Sequence, residues 1–350
     1  MSWKACRLGD VMTLKRGHDL PEHSRQEGDV PVVSSSGITG WHKEAKATAP
    51  GVVTGRYGTI GEVYFLQEDF WPLNTALYVI DFKGNDPRFA SYFLRNVLKG
   101  YQSEKAAIPG VDRNVLHEIE VHLPSLSEQL RITEILSTYD DLIENNRRRM
   151  ALLEDSARQL YREWFVRLRF PGHEHTPIVD GVPQGWERKT LGESITLNYG
   201  KALKAELRVE GDYPVYGSSG IVGTHEKPLV QGPAIVLGRK GNVGSVYWSS
   251  KSFFPIDTVY FVSPESSSLY LYYVLKHIHF ISTDVAVPGL NRDFAYSRPM
   301  LHPSETLLRS FHETVDPIHA QLDKLDETNQ KLRQARDLLL PRLMSGELAV

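Results

Sequence analysis

The chain is written twice. Trp3, Leu8 and Gly9 return as Trp186, Leu191 and Gly192, and Ser35-Ser36-Gly37-Ile38 with Gly40 and His42 returns as Ser218-Ser219-Gly220-Ile221 with Gly223 and His225. Gly55-Arg56, Gly58, Gly61, Val63 and Tyr64 return as Gly238-Arg239, Gly241, Gly244, Val246 and Tyr247. The offset is 183 residues each time, no gap is needed from Trp3 to Val79, and 31 of those 77 positions are identical. A period this long marks a duplicated domain rather than a solenoid repeat. Such a chain presents two similar surfaces.

Each copy opens with β-branched and aromatic runs punctuated by Gly, Pro and Ser: Pro31 to Val33, Gly51 to Thr54, Gly61 to Phe65 and Ala76 to Ile80 in the first. That pattern predicts a strand-rich domain. A short helix is expected over 87–98, and over 269–278 in the second copy. Pro109-Gly110-Val111-Asp112-Arg113-Asn114 is then answered by Pro288-Gly289-Leu290-Asn291-Arg292-Asp293, four residues closer.

A long helix closes each copy. From Ser125 to about Arg167 there is neither Pro nor Gly, and a heptad runs through Leu136, Ile143, Met150, Ala157 and Trp164 (a) with Tyr139, Asn146, Leu153 and Leu160 (d). The second series has Leu322, Asn329, Arg336 and Leu343 at a, and Ile318, Leu325, Leu332 and Leu339 at d. Both meet the coiled-coil criterion, and each carries one mid-seam Asn, which can fix register. Placing Asn146 opposite Asn329 in an antiparallel pair sets every a against a d: Leu136 meets Leu339, and Ala157 meets Ile318. Pro317 is expected to start or kink the second helix. The fold class is therefore α+β: two strand-rich domains separated by two long helices packed as an antiparallel, pseudo-two-fold symmetric coiled coil. Expected boundaries are 1–124 and 186–303 for the globular copies, 125–169 and 304–350 for the helical regions, and 170–185 for a linker.

Enzymatic chemistry finds little support. There is no Walker A sequence and no adenine-methyltransferase tetrapeptide. The glycines around Arg56 precede strand-like rather than helical sequence, so a phosphate loop does not follow. Asp29, Glu44 and Lys46 resemble part of a metal-dependent nuclease site, but Lys227 and Leu229 replace the last two in the second copy. No metal site is expected either at His173 and His175 or from the single cysteine, Cys6. No apolar run long enough for a membrane span occurs, and no apolar signal region follows Lys4 and Arg7. These features point to a cytoplasmic binding protein. Its net charge of −3 means that nucleic-acid binding would rest on local basic patches. One candidate is Arg147 to Arg169, with seven Arg against three acids; the other reading of that segment is a solvated helix face.

The order globular copy, long helix, globular copy, long helix resembles the specificity subunit (HsdS) of type I restriction-modification systems over essentially the whole chain. The run Trp3 to Asp10 and the run Val182 to Glu193 resemble the openings of its target recognition domains. Leu123 to Ile132 resembles the close of the first, while Leu153 to Val166 and Leu340 to Leu348 resemble the subunit's central and distal conserved regions. Pro303 to Leu308 departs from the Glu-Gln signature seen at Glu128-Gln129. The resemblance implies a subunit without catalytic residues or cofactor. Its partners would be double-stranded DNA, two modification (methyltransferase) subunits using S-adenosylmethionine, and two restriction subunits using ATP and Mg. Each recognition domain would read one half of a bipartite target, with the helices as a ruler. Stand-alone regulator and nuclease are the rival readings.

Loops present in both copies hold the donors and acceptors that base edges and phosphates require. They are Ser34, Ser35 and Ser36 with Ser218 and Ser219; Arg56 and Tyr57 with Arg239 and Lys240; Asn74 and Thr75 with Asp257 and Thr258; and Arg113 and Asn114 with Asn291 and Arg292. Many are equally readable as turn residues, and Arg56 and Arg239 as braces within their domains. The copies differ at Tyr57/Lys240, Asn74/Asp257, Asp112/Asn291 and Asn114/Asp293, so the two half-sites are expected to differ.

Overall fold

In the computed structural model, residues 3–56, 61–99, 110–281 and 289–350 are described. The chain divides into a first unit, Met1–Asn145 with Thr328–Val350, and a second, Asn146–Glu327. Helices α1 (Leu8–Val11), α2 (Pro87–Leu98), α3 (Arg113–His117) and α4 (Leu126–Tyr161) are followed by α5 (Leu191–Ser194), α6 (Leu269–His277), α7 (Arg292–Tyr296) and α8 (Glu305–Met344).

The duplication holds at the level of single hydrogen-bonded pairs. In the first unit a four-stranded sheet runs Thr13–Arg16, Ala76–Asp81, Gly51–Gly55, Val63–Leu66, beside a three-stranded one of Gly37–His42, Val30–Ser34 and Trp71–Pro72. The second unit repeats both with Leu197–Tyr199, Val259–Val262, Ala234–Gly238, Val246–Ser249, and with Gly220–His225, Tyr213–Gly217, Phe254–Pro255. Val53 pairs with Tyr78 as Val236 pairs with Phe261, and Val32 lies parallel to Trp71 as Val215 to Phe254. Gly51–Gly55 is buried throughout because alternate side chains enter two cores. Val52 packs with Phe89 and Leu94 of α2, whereas Val53 packs with Val33, Phe70 and Tyr78. Each such buried apolar side chain contributes about 1.5–3 kcal/mol.

Local signals set the helix boundaries. Asp86 accepts from the Phe89 N–H at 2.7 Å with Pro87 at the first helical position, so α2 starts where the sequence predicts. Ser268 does the same for α6, accepting from the Leu271 N–H at 3.2 Å.

Every a and d residue of the two long helices is buried or half-buried, and Asn146 and Asn329 are both buried. Within the first unit Leu136 of α4 shares a core with Leu339, Leu340 and Leu343 near the end of α8. Within the second, Ala157 and Tyr161 near the end of α4 share a core with Phe311, Val315 and Ile318 near the start of α8. In each unit the helices therefore run antiparallel, with the Leu136–Leu339 and Ala157–Ile318 pairs in common cores. Of the two expectations for Pro317, a start or a kink, the start is not met: α8 begins at Glu305 and passes through Pro317. The missing N–H forfeits one backbone bond, but Phe311 and Val315 are fully buried in the turns before it, and that burial outweighs the loss. The basic segment after Arg147 is exposed at all seven arginines, with Arg158 paired to Asp155 and Arg167 to Glu163. Residues 170–185, expected as a linker, hold a 3-10 turn at His173–His175 and a small hairpin of Ile178–Val179 with Val182–Pro183.

Candidate nucleic-acid interface

Arginines far apart in the sequence meet in the same place in each unit. The loop before α3 folds onto the end of strand Gly51–Gly55: the Val111 N–H donates to the Arg56 carbonyl at 2.8 Å, and the Arg56 N–H to the Thr75 carbonyl at 2.9 Å. In the second unit Leu290 donates to the Arg239 carbonyl at 2.8 Å, and Arg239 to that of Thr258 at 2.9 Å. Each arrangement encloses a cavity. The first, about 490 Å³, is lined by Arg16, Arg56, Leu77, Val111, Asp112 and Arg113. The second, about 240 Å³, is lined at the matching positions by Tyr199, Arg239, Tyr260, Leu290, Asn291 and Arg292, with Lys240 and Asp293 beside them.

The scaffold behind the cavities is common to both copies. Gly17 and Gly200 follow Arg16 and Tyr199; a Cβ there would lie 2.1 Å from the Leu73 carbonyl oxygen and 2.0 Å from that of Ile256, so only glycine permits the crossing. The short helices are seated through a side-chain acceptor: the Leu14 N–H donates to His117 Nε2 and the Leu197 N–H to the Tyr296 hydroxyl, each at 2.9 Å. His117 and Tyr296 do equivalent jobs with unlike side chains.

The walls differ. Arg239 lies 4.9 Å from the Tyr199 ring centroid and 5.7 Å from that of Tyr260, and its Nη1 donates to the Asp257 carbonyl at 2.9 Å. Arg292 lies 5.3 Å from the Tyr199 ring centroid and 6.0 Å from that of Tyr296. Burial, and then a hydrogen bond with Tyr199, pushes the Tyr260 hydroxyl up to about 12, so it stays a neutral donor to the Leu290 carbonyl at 3.0 Å. In the first unit Arg16 and Leu77 stand where Tyr199 and Tyr260 stand in the second. Clustered guanidiniums of this kind attract phosphate and present donors that match guanine acceptors.

Of the residues singled out from sequence, Arg56 and Arg113 meet at the first cavity, and Arg239, Lys240, Asn291 and Arg292 at the second. Several others serve the fold. Ser34 is buried, with its Oγ 3.0 Å from Ser36 Oγ and donating to the Gly37 carbonyl at 3.2 Å, in a tight turn where Gly37 has φ 96°. Ser218 is buried too; its N–H donates to Thr258 Oγ1 at 3.3 Å and its carbonyl accepts from Ser245 and Tyr247. Ser36 and Ser219 are exposed and Ser35 is half-buried, while Thr75 presents its carbonyl to Arg56. The Asn74 amide donates to Asp19, and Asp257 offers its carbonyl to Arg239. Asp112 and Asn291 are N-caps: Asp112 accepts from the Asn114 N–H at 2.8 Å, and Asn291 Oδ1 from the Asp293 and Phe294 N–H groups at 2.8 and 3.1 Å. That oxygen of Asn291 is committed to its helix. Tyr57 lies outside the described residues. Lys46 is stacked over Trp71, its ammonium 5.0 Å from the ring centroid.

Sequence reasoning missed Arg16, Leu77, Tyr199, Tyr260 and Tyr296. These positions differ between the copies, so recurrence does not mark them. The available signal was the shared Gly17/Gly200, which fixes where the preceding side chain points.

A family model described as the type I restriction modification DNA specificity domain matches residues 1–155 and 183–293. The specificity subunit of the type I restriction enzyme MjaIX of Methanocaldococcus jannaschii is 24% identical over 292 residues, covering 74% of this chain and 66% of that one. That of MjaVIII from the same organism is 25% identical over 278 residues, covering 73% and 59%. The match thus spans less than two thirds of either archaeal relative's length. A protein of Mycoplasma genitalium named as a type I specificity subunit is 24% identical, covering 98% of this chain and 94% of that one. The crystal structure of the type I restriction-modification S subunit from M. genitalium superposes with a TM-score of 0.61 at 20% identity, covering 98% of this chain and 96% of that one, which shows a shared fold.

Proposed function

Because this chain belongs to the type I restriction-modification DNA specificity family, we propose that it is the subunit that selects the DNA sequence. Each copy reads one half of a bipartite duplex target through its arginine-lined cavity and the loops around it. The observation that carries this reading is the repetition of one cavity with two different walls. Arg56/Arg239 and Arg113/Arg292 recur, whereas Arg16/Tyr199 and Leu77/Tyr260 do not. A shared cationic frame suits a ligand with one backbone, and altered walls suit two base sequences.

In this reading α4 and α8, each of which contributes to both units, fix the spacing between the halves. Adenine methylation belongs to two modification subunits that bring S-adenosylmethionine. Translocation and cleavage belong to two restriction subunits that use ATP and Mg. The chain itself contributes binding residues only and acts in the cytoplasm.

Arg113→Ala and Arg292→Ala test the reading. Each should weaken duplex binding by about tenfold, with thermal unfolding unchanged, since each removes a charged donor from the interface. Binding equal to that of the unaltered chain in both variants would exclude the cavities as the reading surface. Copurification of a methyltransferase with the tagged chain would separate the specificity subunit from a stand-alone regulator, and DNA cutting by the chain alone with Mg²⁺ would favour a nuclease.

A further inference from the structure

The two cavities hold the same pair of arginines under different physical constraints. In the second unit Tyr199 lies at the edge of its sheet, 48% exposed, and both guanidiniums stack against its ring, Arg239 at 4.9 Å and Arg292 at 5.3 Å. Tyr296 adds a second ring beside Arg292 at 6.0 Å. Arg239 is also tied to the Asp257 carbonyl, so it acts as a buttress. Arg292 is half-buried beside both rings, and such packing restricts a guanidinium for bidentate recognition of a base edge. In the first unit the positions of both rings are taken by Arg16 and His117, the cavity is about 490 Å³ rather than 240 Å³, and Arg113 is exposed. Both cavities are lined by three cations and one carboxylate, Arg16, Arg56, Arg113 and Asp112 against Arg239, Lys240, Arg292 and Asp293, but in the first a guanidinium, Arg16, takes the place of the stacking ring. A wider cavity with three guanidiniums in its lining suits an anion better than a neutral base edge.

We propose that the two cavities divide the work: Tyr199 positions Arg292 to read a guanine in one half-site, whereas Arg16, Arg56 and Arg113 cradle a backbone phosphate of the other. This rests on the DNA-reading assignment above and adds a specific role to one residue of each copy. Tyr199 is a positioning residue, acting on the base only through Arg292.

The test uses the full-length chain and a pool of randomised duplex DNA, selected and sequenced at about 50 and 200 mM salt. Tyr199→Ala should lower the preference for guanine at one position of one half-site by about five- to hundredfold and leave the other half-site unchanged. Tyr199→Phe keeps the ring and should keep the preference. Arg16→Ala should weaken binding to all sequences alike and reduce the slope of log affinity against log salt by about one, with the motif unaltered. The proposal is overturned if Tyr199→Ala changes both halves or neither, if Tyr199→Phe is as damaging as Tyr199→Ala, or if Arg16→Ala changes a base preference. Melting temperatures of the variants separate these outcomes from misfolding. A wild-type chain that enriches no motif would instead refute the DNA-reading assignment itself.

Discussion

Arg336 occupies a seam position of the second long helix, where a charge is ordinarily costly, and Asp140 explains its presence. Arg336 Nη1 donates to Asp140 Oδ1 at 2.5 Å, and the Tyr92 hydroxyl donates to Asp140 Oδ2 at 2.6 Å, joining α2, α4 and α8 within the first unit. The Arg336 and Asp140 side chains are 17% and 27% exposed, so the pair is largely withdrawn from water. Asp140→Ala would leave the buried Tyr92 hydroxyl without its acceptor, at about 1–3 kcal/mol. Arg336 would retain Asp337 at 2.7 Å, so its loss falls well short of the roughly 3–5 kcal/mol of a fully orphaned charge, about 1 kcal/mol. The expected total is about 3 kcal/mol. Tyr92→Phe should cost about 1 kcal/mol. The decisive variant is double: Asp140→Leu with Arg336→Met removes both charges and should cost less than either single change. Urea unfolding monitored through hydrogen exchange of the α2 amides reads the first unit separately from the second. A double variant that costs the sum of its singles, or an Asp140→Ala within about 0.5 kcal/mol of wild type, would refute the account.

The second unit carries a pH-dependent counterpart. His319 on α8 shares a hydrogen bond of 2.8 Å with the Tyr273 hydroxyl and faces the rings of Trp248 and Tyr272, Asp316 and Lys276; burial pushes its pKa down from 6.5 to about 4. A depressed histidine pKa means that the unfolded chain binds the proton first. The stabilisation is therefore complete above pH 6.5 and is lost as pH falls towards 4, by about 2 kcal/mol at pH 4.5 after allowing for partial solvent contact. His319→Gln should remove that component from urea midpoints measured between pH 7 and 4.5, and an unchanged pH slope in the variant would show that other groups cause it.

The architecture was readable because duplication does for one chain what an alignment does for a family. Identities at Gly17/Gly200, Gly37/Gly220 and His42/His225 mark turns, close crossings and core acceptors, such as His42 Nδ1 taking the Gln26 N–H at 3.0 Å and His225 Nδ1 taking that of Val209 at 3.2 Å. The heptads were legible because a seam must be apolar at fixed spacing. The start of α8 was not, because Pro317 dominates any local reading while the burial of Phe311 and Val315 that overrides it is tertiary. The site was half legible. Arg56 and Arg113 stand out by recurrence, but Tyr199 does not, since its role depends on which side chain the sheet brings beside two arginines. The N-cap duty of Asp112 and Asn291 was hidden for the opposite reason: a side chain that accepts from its own helix looks, in sequence, like one available to a base.

This redistribution of roles sharpens the expectation that the two half-sites differ. Capping accounts for the Asp112/Asn291 difference, so that pair no longer argues for distinct targets; either residue caps a helix. Differences at the cavities or beside them remain: Arg16 against Tyr199, Leu77 against Tyr260, Asn114 against Asp293, and Asn74 against Asp257. The sequence adds Tyr57 against Lys240. Exchanging a guanidinium for a phenol removes a full charge, and exchanging an amide for a carboxylate removes a donor. Each change of this kind is able to alter base preference by about 1–3 kcal/mol, or roughly five- to hundredfold. An inverted repeat would require these changes to cancel at every base. The strand pairing, in contrast, is the same in both copies, as Val53 with Tyr78 and Val236 with Phe261 show. Methylome sequencing of cells expressing the chain with its methyltransferase should therefore return an interrupted, asymmetric motif. An interrupted perfect palindrome would mean that the divergent walls never touch a base.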